Sequence, residues 1–323
     1  MILAGDLGGT KCNLGLFESG ADGLRPIRNQ RFDSRSFKSG EEVIHAFLEG
    51  KHDSITAAAF AIAGPVVDNQ VRVTNLPWLV DAGALAGTFH IPHVSLLNDL
   101  EATAYSLRVL PATALVSLRE GVPGAKGNQA LLAAGTGLGE ALLIWDGTQR
   151  AVSATEGGHC DFTPRNDREI NLLRFLKRSH EIVCIETILS GRGFYELHSF
   201  LDPTVTHAAF EQPEFDPAPE ITRMALAGEC PTCVAAVEMW VELYGSEAGN
   251  LALKSLARGG IFIAGGIAVR ILPMLRKGRF LDAFNRKDKM EALLSAIPIR
   301  VITDETAPLW GAAWAASQLQ FYG

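Results

Sequence analysis

Two stretches of this chain, about one domain length apart, repeat a single plan. In the first, an apolar strand at Ile2 to Ala4 runs into Asp6-Leu7-Gly8-Gly9-Thr10-Lys11, and Asn13 to Phe17 resumes as a strand. In the second, Ala130 to Ala134 runs into Gly135-Thr136-Gly137-Leu138-Gly139, and Ala141 to Trp145 continues. Each reads as a hairpin with a glycine-rich tip. Glycine admits positive φ and lets a ligand approach the main chain closely. Successive N–H groups in such a turn make a concavity that binds anions, and Thr10 adds a hydroxyl. Asp6, at the strand end, is placed to hold a hydrated divalent cation. Taken alone, one such turn is more often an ordinary hairpin with a solvated Asp6. Two of them imply an internal duplication, each half opening on a phosphate-type hairpin.

The rest of the composition bounds the partners. A chain of 323 residues is long enough for two domains. Its formal net charge of -7 offers no global attraction to nucleic acid or to anionic lipid. A small anionic ligand therefore needs a local device such as backbone N–H groups. No stretch is long and apolar enough to span a membrane. The first residues lack the basic start of a secretory signal, and Asp6 interrupts their apolar run. Five cysteines at irregular spacing do not form a disulfide framework, which favours the cytoplasm.

Polar residues stand where apolar strands stop. Val94 to Leu97 reads as a buried strand ending at Asn98-Asp99, with a helix over Leu100 to Arg108. Ligands of open α/β sheets bind at the carboxyl ends of strands, where an amide can orient a hydroxyl and a carboxylate can take its proton. Taken alone, this pair is more often a helix cap. Thr155-Glu156-Gly157-Gly158-His159-Cys160-Asp161 places Glu156 and His159 around two glycines, where both can face one small polar ligand. Its residue types also suit a metal, but no second Cys/His cluster lies close in sequence to complete a zinc set. Glu186 sits in an apolar setting, as a polar contact or as a solvated first-turn carboxylate. Asn75 and Trp78 suit either a ligand wall or a turn and a core anchor. Gly259 to Ala264 is a buried strand closed by Gly265-Gly266 and a helix, open to close approach of a flat ring or a phosphate.

Other expectations concern organisation. A surface loop covers Asp202 to Pro219, and helical sequence resumes at Glu220. Cys230-Pro231-Thr232-Cys233 opens a long helix through Leu256 and is assigned a structural role, because a redox or metal site would need further context. The basic run from Arg276 to Lys289 reads as a solvated face.

Asp6-Leu7-Gly8-Gly9-Thr10, Asn98-Asp99, Ala134-Gly135-Thr136-Gly137-Leu138-Gly139, Glu156-Gly157-Gly158-His159 and Ala264-Gly265-Gly266-Ile267 stand in a fixed order. That order resembles the ATP-dependent bacterial glucokinases of the sugar kinase/Hsp70/actin superfamily, over nearly the whole chain. The resemblance implies an α/β, two-domain actin-like ATPase (ribonuclease H-like) fold with a central cleft. It implies a small domain of residues 1–110 plus 303–323 and a large domain of residues 111–302. The implied activity is phosphorylation of D-glucose to glucose 6-phosphate with ATP and Mg2+. Asp99 would be the general base. Asn98, Asp99, Glu156, His159 and Glu186 would bind the sugar. Asp6, Gly8, Gly9, Thr10, Gly135, Thr136, Gly137, Gly265 and Gly266 would bind the nucleotide, with Asp6 nearest the metal. A homodimer is implied too, with no nucleic-acid or membrane partner. The cysteine cluster that holds zinc in kinases and repressors of the ROK type is missing, which makes His159 a sugar contact. A start directly at the first strand leaves no room for the repressors' DNA-binding domain. A kinase for another hexose or amino sugar, a non-catalytic sugar sensor and a sugar-independent ATPase are the alternatives.

Overall fold

The computed structural model describes residues 1–20, 23–49, 55–74, 76–122, 124–207, 210 and 216–319. Asn75 and Pro213 lie outside them. The chain divides into two compact units, one of Met1–Ala114 with the segment from Asp304 onward, the other of Leu115–Thr303.

In the first unit, strands β1 (Ile2–Leu7), β2 (Lys11–Gly20), β3 (Gly23–Asp33), β4 (Ala57–Ile62) and β7 (His93–Asn98) form a sheet in the order β3-β2-β1-β4-β7. Strands β5 (Gln70–Arg72) and β6 (Leu79–Asp81) pair separately. Strand β1 is antiparallel to β2 and parallel to β4, and β4 is parallel to β7. Side chains alternate between the two faces, as the pleat requires. Leu3, Leu14, Ala58, Phe60 and Leu96 pack with Val43, Ile44 and Phe47 of α1 (Gly40–Leu48) and Leu85 of α2 (Ala82–Phe89). Ile2, Ala4, Ala57, Ala59, Ala61 and Leu97 pack on the other face, against α3 (Asp99–Ser106) and the carboxyl-terminal helix Ala307–Leu319. The small residues on this face let two helices come close to the sheet and to each other. A Cβ on Gly311 would lie 1.6 Å from the Ala102 carbonyl oxygen, so the helices cross almost backbone to backbone. Tyr105 stacks on Trp314 at 4.8 Å and fastens the same crossing further along.

In the second unit, β8 (Leu115–Arg119), β9 (Gln129–Ala134), β10 (Leu138–Trp145), β11 (Arg150–Thr155), β12 (Gly260–Ala264) and β13 (Ile299–Ile302) form a sheet in the order β11-β10-β9-β12-β13-β8. Strand β9 is antiparallel to β10, β10 is antiparallel to β11, and β9, β12 and β13 run parallel. Apart from β8, this reproduces the first unit strand for strand and direction for direction. The duplication read from the two glycine turns therefore extends through five strands. Helices α4 (Asp167–Leu176), α5 (Ile185–Ile188), α6 (Gly191–Leu201), α7 (Pro217–Ala227) and α8 (Pro231–Ser255) follow β11. Helix α8 is the core of this unit, with Trp240 and Tyr244 fully buried and the Tyr244 hydroxyl donating to the Leu132 carbonyl. Short helices α9 (Gly266–Arg270), α10 (Leu272–Leu275), α11 (Arg279–Asn285) and α12 (Glu291–Ser295) complete it. No single helix among the described residues is long and apolar enough to cross a membrane.

Two expectations are corrected here. Helix α7 begins at Pro217 rather than Glu220, with the Asp216 carboxylate capping Ala218 N–H at 3.0 Å. Proline is at home in a first helical turn, whose N–H groups have no intrahelical acceptor. The basic run is only partly solvated: Lys287 is half-buried and donates to Ser246 and Asn250, while Arg279 pairs with Glu238. The edge strands β3 and β11 carry largely exposed side chains with no apolar alternation, and the sequence alone does not mark them.

The Gly311→Ala variant is expected to lose about 3 kcal/mol of stability or more, because its methyl group meets backbone that cannot rotate away. Urea denaturation followed by circular dichroism measures this. A loss under 0.5 kcal/mol, at about the level of a neutral surface change, would contradict the crossing described above.

Candidate active site

Each unit presents its polar residues where the parallel strands end. In the first, Leu7 of β1 pairs with Ile62 of β4, and Ile62 pairs with Asn98 of β7, so the three strands stop level. Beyond β1, the Gly8 N–H donates to the Lys11 carbonyl and closes the turn on itself. The N–H groups of Gly9 and Thr10 have no main-chain partner among the described residues. Ser34, fully buried, donates its hydroxyl to the Gly8 carbonyl at 2.7 Å and braces the turn from beneath. Nothing in the sequence near Ser34 marks it for this role.

Asp6 shares the sheet face of Ile2 and Ala4, the face covered by α3. Its Oδ2 accepts from Asn13 Nδ2 at 3.0 Å. Burial raises the Asp6 carboxyl to about 6 against the lowering effect of Asn13, and the nearby Asp99 carboxylate adds to the rise. The two aspartates are thus electrostatic neighbours, as alternation in β1 and the start of α3 after β7 require. Asn98 is the amino-terminal cap of α3, its Oδ1 accepting from Leu100 N–H at 2.9 Å while its Nδ2 donates to the Gly64 carbonyl at 3.2 Å. The capping role is therefore real for Asn98. Asp99 occupies the first helical position and also accepts from Leu100 N–H, at 3.0 Å.

The second unit repeats the turn. Gly135 N–H donates to the Gly137 carbonyl, and the N–H groups of Thr136 and Gly137 have no main-chain partner among the described residues. Thr136, like Thr10, is exposed. Gly8, Gly135 and Gly137 do not adopt positive φ, contrary to the expectation for the turn tips. At Gly137 the requirement is space: a Cβ would lie 2.4 Å from Glu186 Oε2. That oxygen accepts from Leu138 N–H at 2.8 Å, which ties the start of α5 to the turn. His159 lies between two carboxylates, its Nδ1 3.7 Å from Glu156 and its Nε2 3.9 Å from Glu186. The structure therefore brings Glu156, His159 and Glu186 together beside the second turn. All three keep contact with solvent. The two glycines between Glu156 and His159 are fixed by packing: a Cβ on Gly157 would meet Glu140 Oε2 at 2.0 Å, and one on Gly158 would meet the Leu138 carbonyl at 2.1 Å.

Glu140 escaped the sequence reading, since a lone acid in an apolar strand looks like an outward-facing residue. It is buried beneath this loop, and burial together with the Glu247 carboxylate pushes its carboxyl up to about 7. A cavity of about 230 Å³ lies under the same loop, lined by Cys160, Phe162, Ile185, Glu247, Asn250 and Lys254 among others and by none of the three polar residues above it. Gly265 has φ +89, and a Cβ there would lie 2.3 Å from the Ala134 carbonyl, so both its conformation and its contact with β9 exclude a side chain. Gly266 opens α9.

The family model "Glucokinase" matches residues 3–319. The glucokinase of Nostoc sp. (strain PCC 7120 / SAG 25.82 / UTEX 2576) is 38% identical over 342 residues, covering 99% of both chains. Among solved structures, a glucokinase from an Antarctic psychrotroph superposes with a TM-score of 0.87 at 31% identity, covering 98% of both chains. A ROK family glucokinase from Streptomyces griseus, solved with glucose and AMPPNP, superposes at 0.67 with 19% identity over 98% of this chain and 99% of that one, a likeness of fold. The architecture is the two-domain actin-like α/β fold of the sugar kinases. With its glycine turns, its strand-end aspartates and its glutamate–histidine cluster on that scaffold, the chain belongs to the glucokinase family.

Proposed function

We propose that this chain transfers the terminal phosphoryl group of ATP to the 6-hydroxyl of D-glucose, with Asp99 as general base. The observation that carries the reading is Glu186. Its carboxylate accepts from Leu138 N–H beside the second glycine turn and faces His159, so a hydroxyl-binding group is fixed to a phosphate-binding one. A protein that only hydrolysed ATP would not need that link.

Phosphoryl transfer asks a protein for positioning and for charge stabilisation, and little else. The N–H groups of Gly9 and Thr10, and of Thr136 and Gly137, which have no main-chain partner among the described residues, supply donors for phosphate oxygens, with the Thr10 and Thr136 hydroxyls beside them. Gly265 and Gly266 leave the end of β12 bare for the nucleoside. Glu156 and Glu186 accept sugar hydroxyl protons, His159 donates or accepts, and the Asn98 carboxamide orients a hydroxyl beside Asp99. The Asp99 carboxylate then takes the proton of the 6-hydroxyl as its oxygen attacks the terminal phosphorus. A carboxylate whose charge is disfavoured by burial and by a second carboxylate suits a hard divalent cation, so Asp6 is the residue that would hold Mg2+. When bound, Mg2+ neutralises charge on the phosphate oxygens. A cytoplasmic homodimer, which the resemblance implies, completes the proposal.

Asp99→Ala is expected to lower turnover with glucose about 100-fold to 10,000-fold while binding of an ATP analogue persists. A coupled assay measures the first and calorimetry the second; turnover near that of the unaltered enzyme removes Asp99 from the role. The same assay over glucose, mannose, fructose, glucosamine and N-acetylglucosamine is expected to give the highest kcat/KM with glucose, and a different ranking would reassign the substrate.

Asp6 generates a pH prediction. Burial holds its folded-state carboxyl at about 6, above the ordinary 3.8 of an exposed aspartate, so the folded chain binds the extra proton between those values. By linkage, the contribution of Asp6 to stability is greatest below the lower value and is lost as pH rises through the higher one. Asp6→Asn is therefore expected to be more stable than the unaltered chain at pH 7.5, by about 1–3 kcal/mol without Mg2+, with the gap closing near pH 4. Urea denaturation across that range tests it, and a gap of the same size at both ends would refute it.

A further inference from the structure

A second cluster of chemistry-bearing side chains lies in the Leu115–Thr303 unit. His198 is on α6, His207 follows in the connection to α7, and Cys230 and Cys233 stand at the cap and the third residue of α8. One ligand atom from each of the four lies within 4.8 Å of the others. Cys233 Sγ is 3.6 Å from His207 Nε2, and the two imidazole rings are 5.6 Å apart. His198 is 1% exposed, Cys233 0% and Cys230 6%. The His198 Nε2 atom is buried with no hydrogen-bond partner among the described residues. An imidazole nitrogen left so is desolvated without compensation unless something else meets it. Phe210 packs edge-on against both rings and closes one side.

Two chemistries suit a Cys-x-x-Cys pair at a helix start. One is thiol–disulfide exchange, which needs an accessible sulfur of depressed pKa. Here both sulfurs are enclosed, Cys233 at 0% and Cys230 at 6% exposure, so an exchange partner has no access to them. A redox role also does not explain two histidines. The other is a metal. Two sulfurs and two imidazole nitrogens are the donor set of a closed tetrahedral zinc site. Zinc bonds of about 2.3 Å to sulfur and about 2.05 Å to nitrogen place the two donors roughly 3.5 Å apart. The Cys233–His207 separation already matches, and no other pair of the four ligand atoms is more than 4.8 Å apart. Asp202 and Glu220 place negative charge near the two rings.

We propose that His198, His207, Cys230 and Cys233 bind one Zn2+ that staples the end of α6 and its following connection to the start of α8. Each cysteine loses its thiol proton to solvent on binding, so two thiolates balance the charge of the ion and two neutral imidazoles complete its shell. The site is separate from Glu156, His159, Cys160 and Asp161, the metal set weighed from sequence, which form no such cluster among the described residues.

The full chain, reduced and reconstituted with zinc, then freed of excess metal by gel filtration, is expected to retain about one equivalent by elemental analysis. Cobalt in its place is expected to show thiolate-to-cobalt charge transfer and the intense visible bands of a tetrahedral ion. His207→Ala, at the less enclosed edge, is expected to fold and to bind zinc at least ~10-fold more weakly. Cys233→Ser is expected to lose most of the charge-transfer band. Retention below about a tenth of an equivalent by the unaltered chain, an octahedral cobalt spectrum, or zinc binding unchanged in both variants would overturn the site. The cobalt spectrum of the unaltered chain decides the matter even if a variant does not fold.

Discussion

Where a parallel strand ends, its backbone groups lose their ladder partners and must find others, bind water or bind a ligand. That constraint organises both units. After β1 and after β9 the chain turns within a few residues, and one N–H in each turn is spent on closing it: Gly8 to Lys11, Gly135 to Gly137. The next two N–H groups of each turn then have no main-chain partner among the described residues. Everything else at the two strand ends is arranged around this surplus of donors. Asp6 and Asp99 sit beside the first turn through strand alternation, and Glu186 is anchored to the far side of the second through Leu138 N–H. The two sheets share a five-strand topology, and each delivers one hairpin and its parallel neighbours to its own strand-end edge.

This explains why so much of the candidate site was legible beforehand. Glycine pairs and polar residues at the ends of apolar runs are visible in a linear sequence, and Glu156, His159 and Glu186 do meet in space. The physical reason attached to the glycines was only partly right. Positive φ is needed at Gly265, but Gly137, Gly157 and Gly158 are bare because Glu186, Glu140 and the Leu138 carbonyl occupy the space a Cβ would take. Sequence shows that a residue lacks a side chain and cannot show what presses against it. The cap reading and the ligand reading of Asn98 also proved compatible, since its Oδ1 caps α3 while the residue still stands at the strand edge.

What was not legible depends on contacts distant in sequence. Ser34 reaches Gly8 across 26 positions, and Glu140 lies under Gly157 only because β10 and β11 are paired. Edge strand β3 carries Arg25, Arg28, Asn29, Gln30 and Arg31, so no period marks it until a neighbour supplies its hydrogen bonds. His198 and His207 look like surface histidines of a helix and a loop. Only the packing of α6 against α8 brings them to the cysteines.

Buried polar atoms without partners tie these observations together, and they admit different remedies. Glu140 Oε1 and His198 Nε2 are both enclosed and unpaired among the described residues. For Glu140 a proton suffices: with its carboxyl lifted to about 7, the neutral form is well populated near neutrality and no full charge need be held in the core. Its neutral form also avoids repulsion with Glu247, so the residue can support the glycine loop without a counter-ion. For His198 a proton is the wrong remedy, since burial and the neighbouring His207 both disfavour a charged ring. A cation that attracts a neutral nitrogen, and that also ionises two buried thiols, satisfies all four side chains at once. Asp6 stands between the two cases. It shares its neighbourhood with Asp99 and keeps an opening to solvent, so a proton stabilises the free protein, while under the proposed function a metal ion accompanying the nucleotide would favour its charged form. On that proposal, the residue that weakens the resting fold at neutral pH is the one whose charge would be needed when substrate arrives.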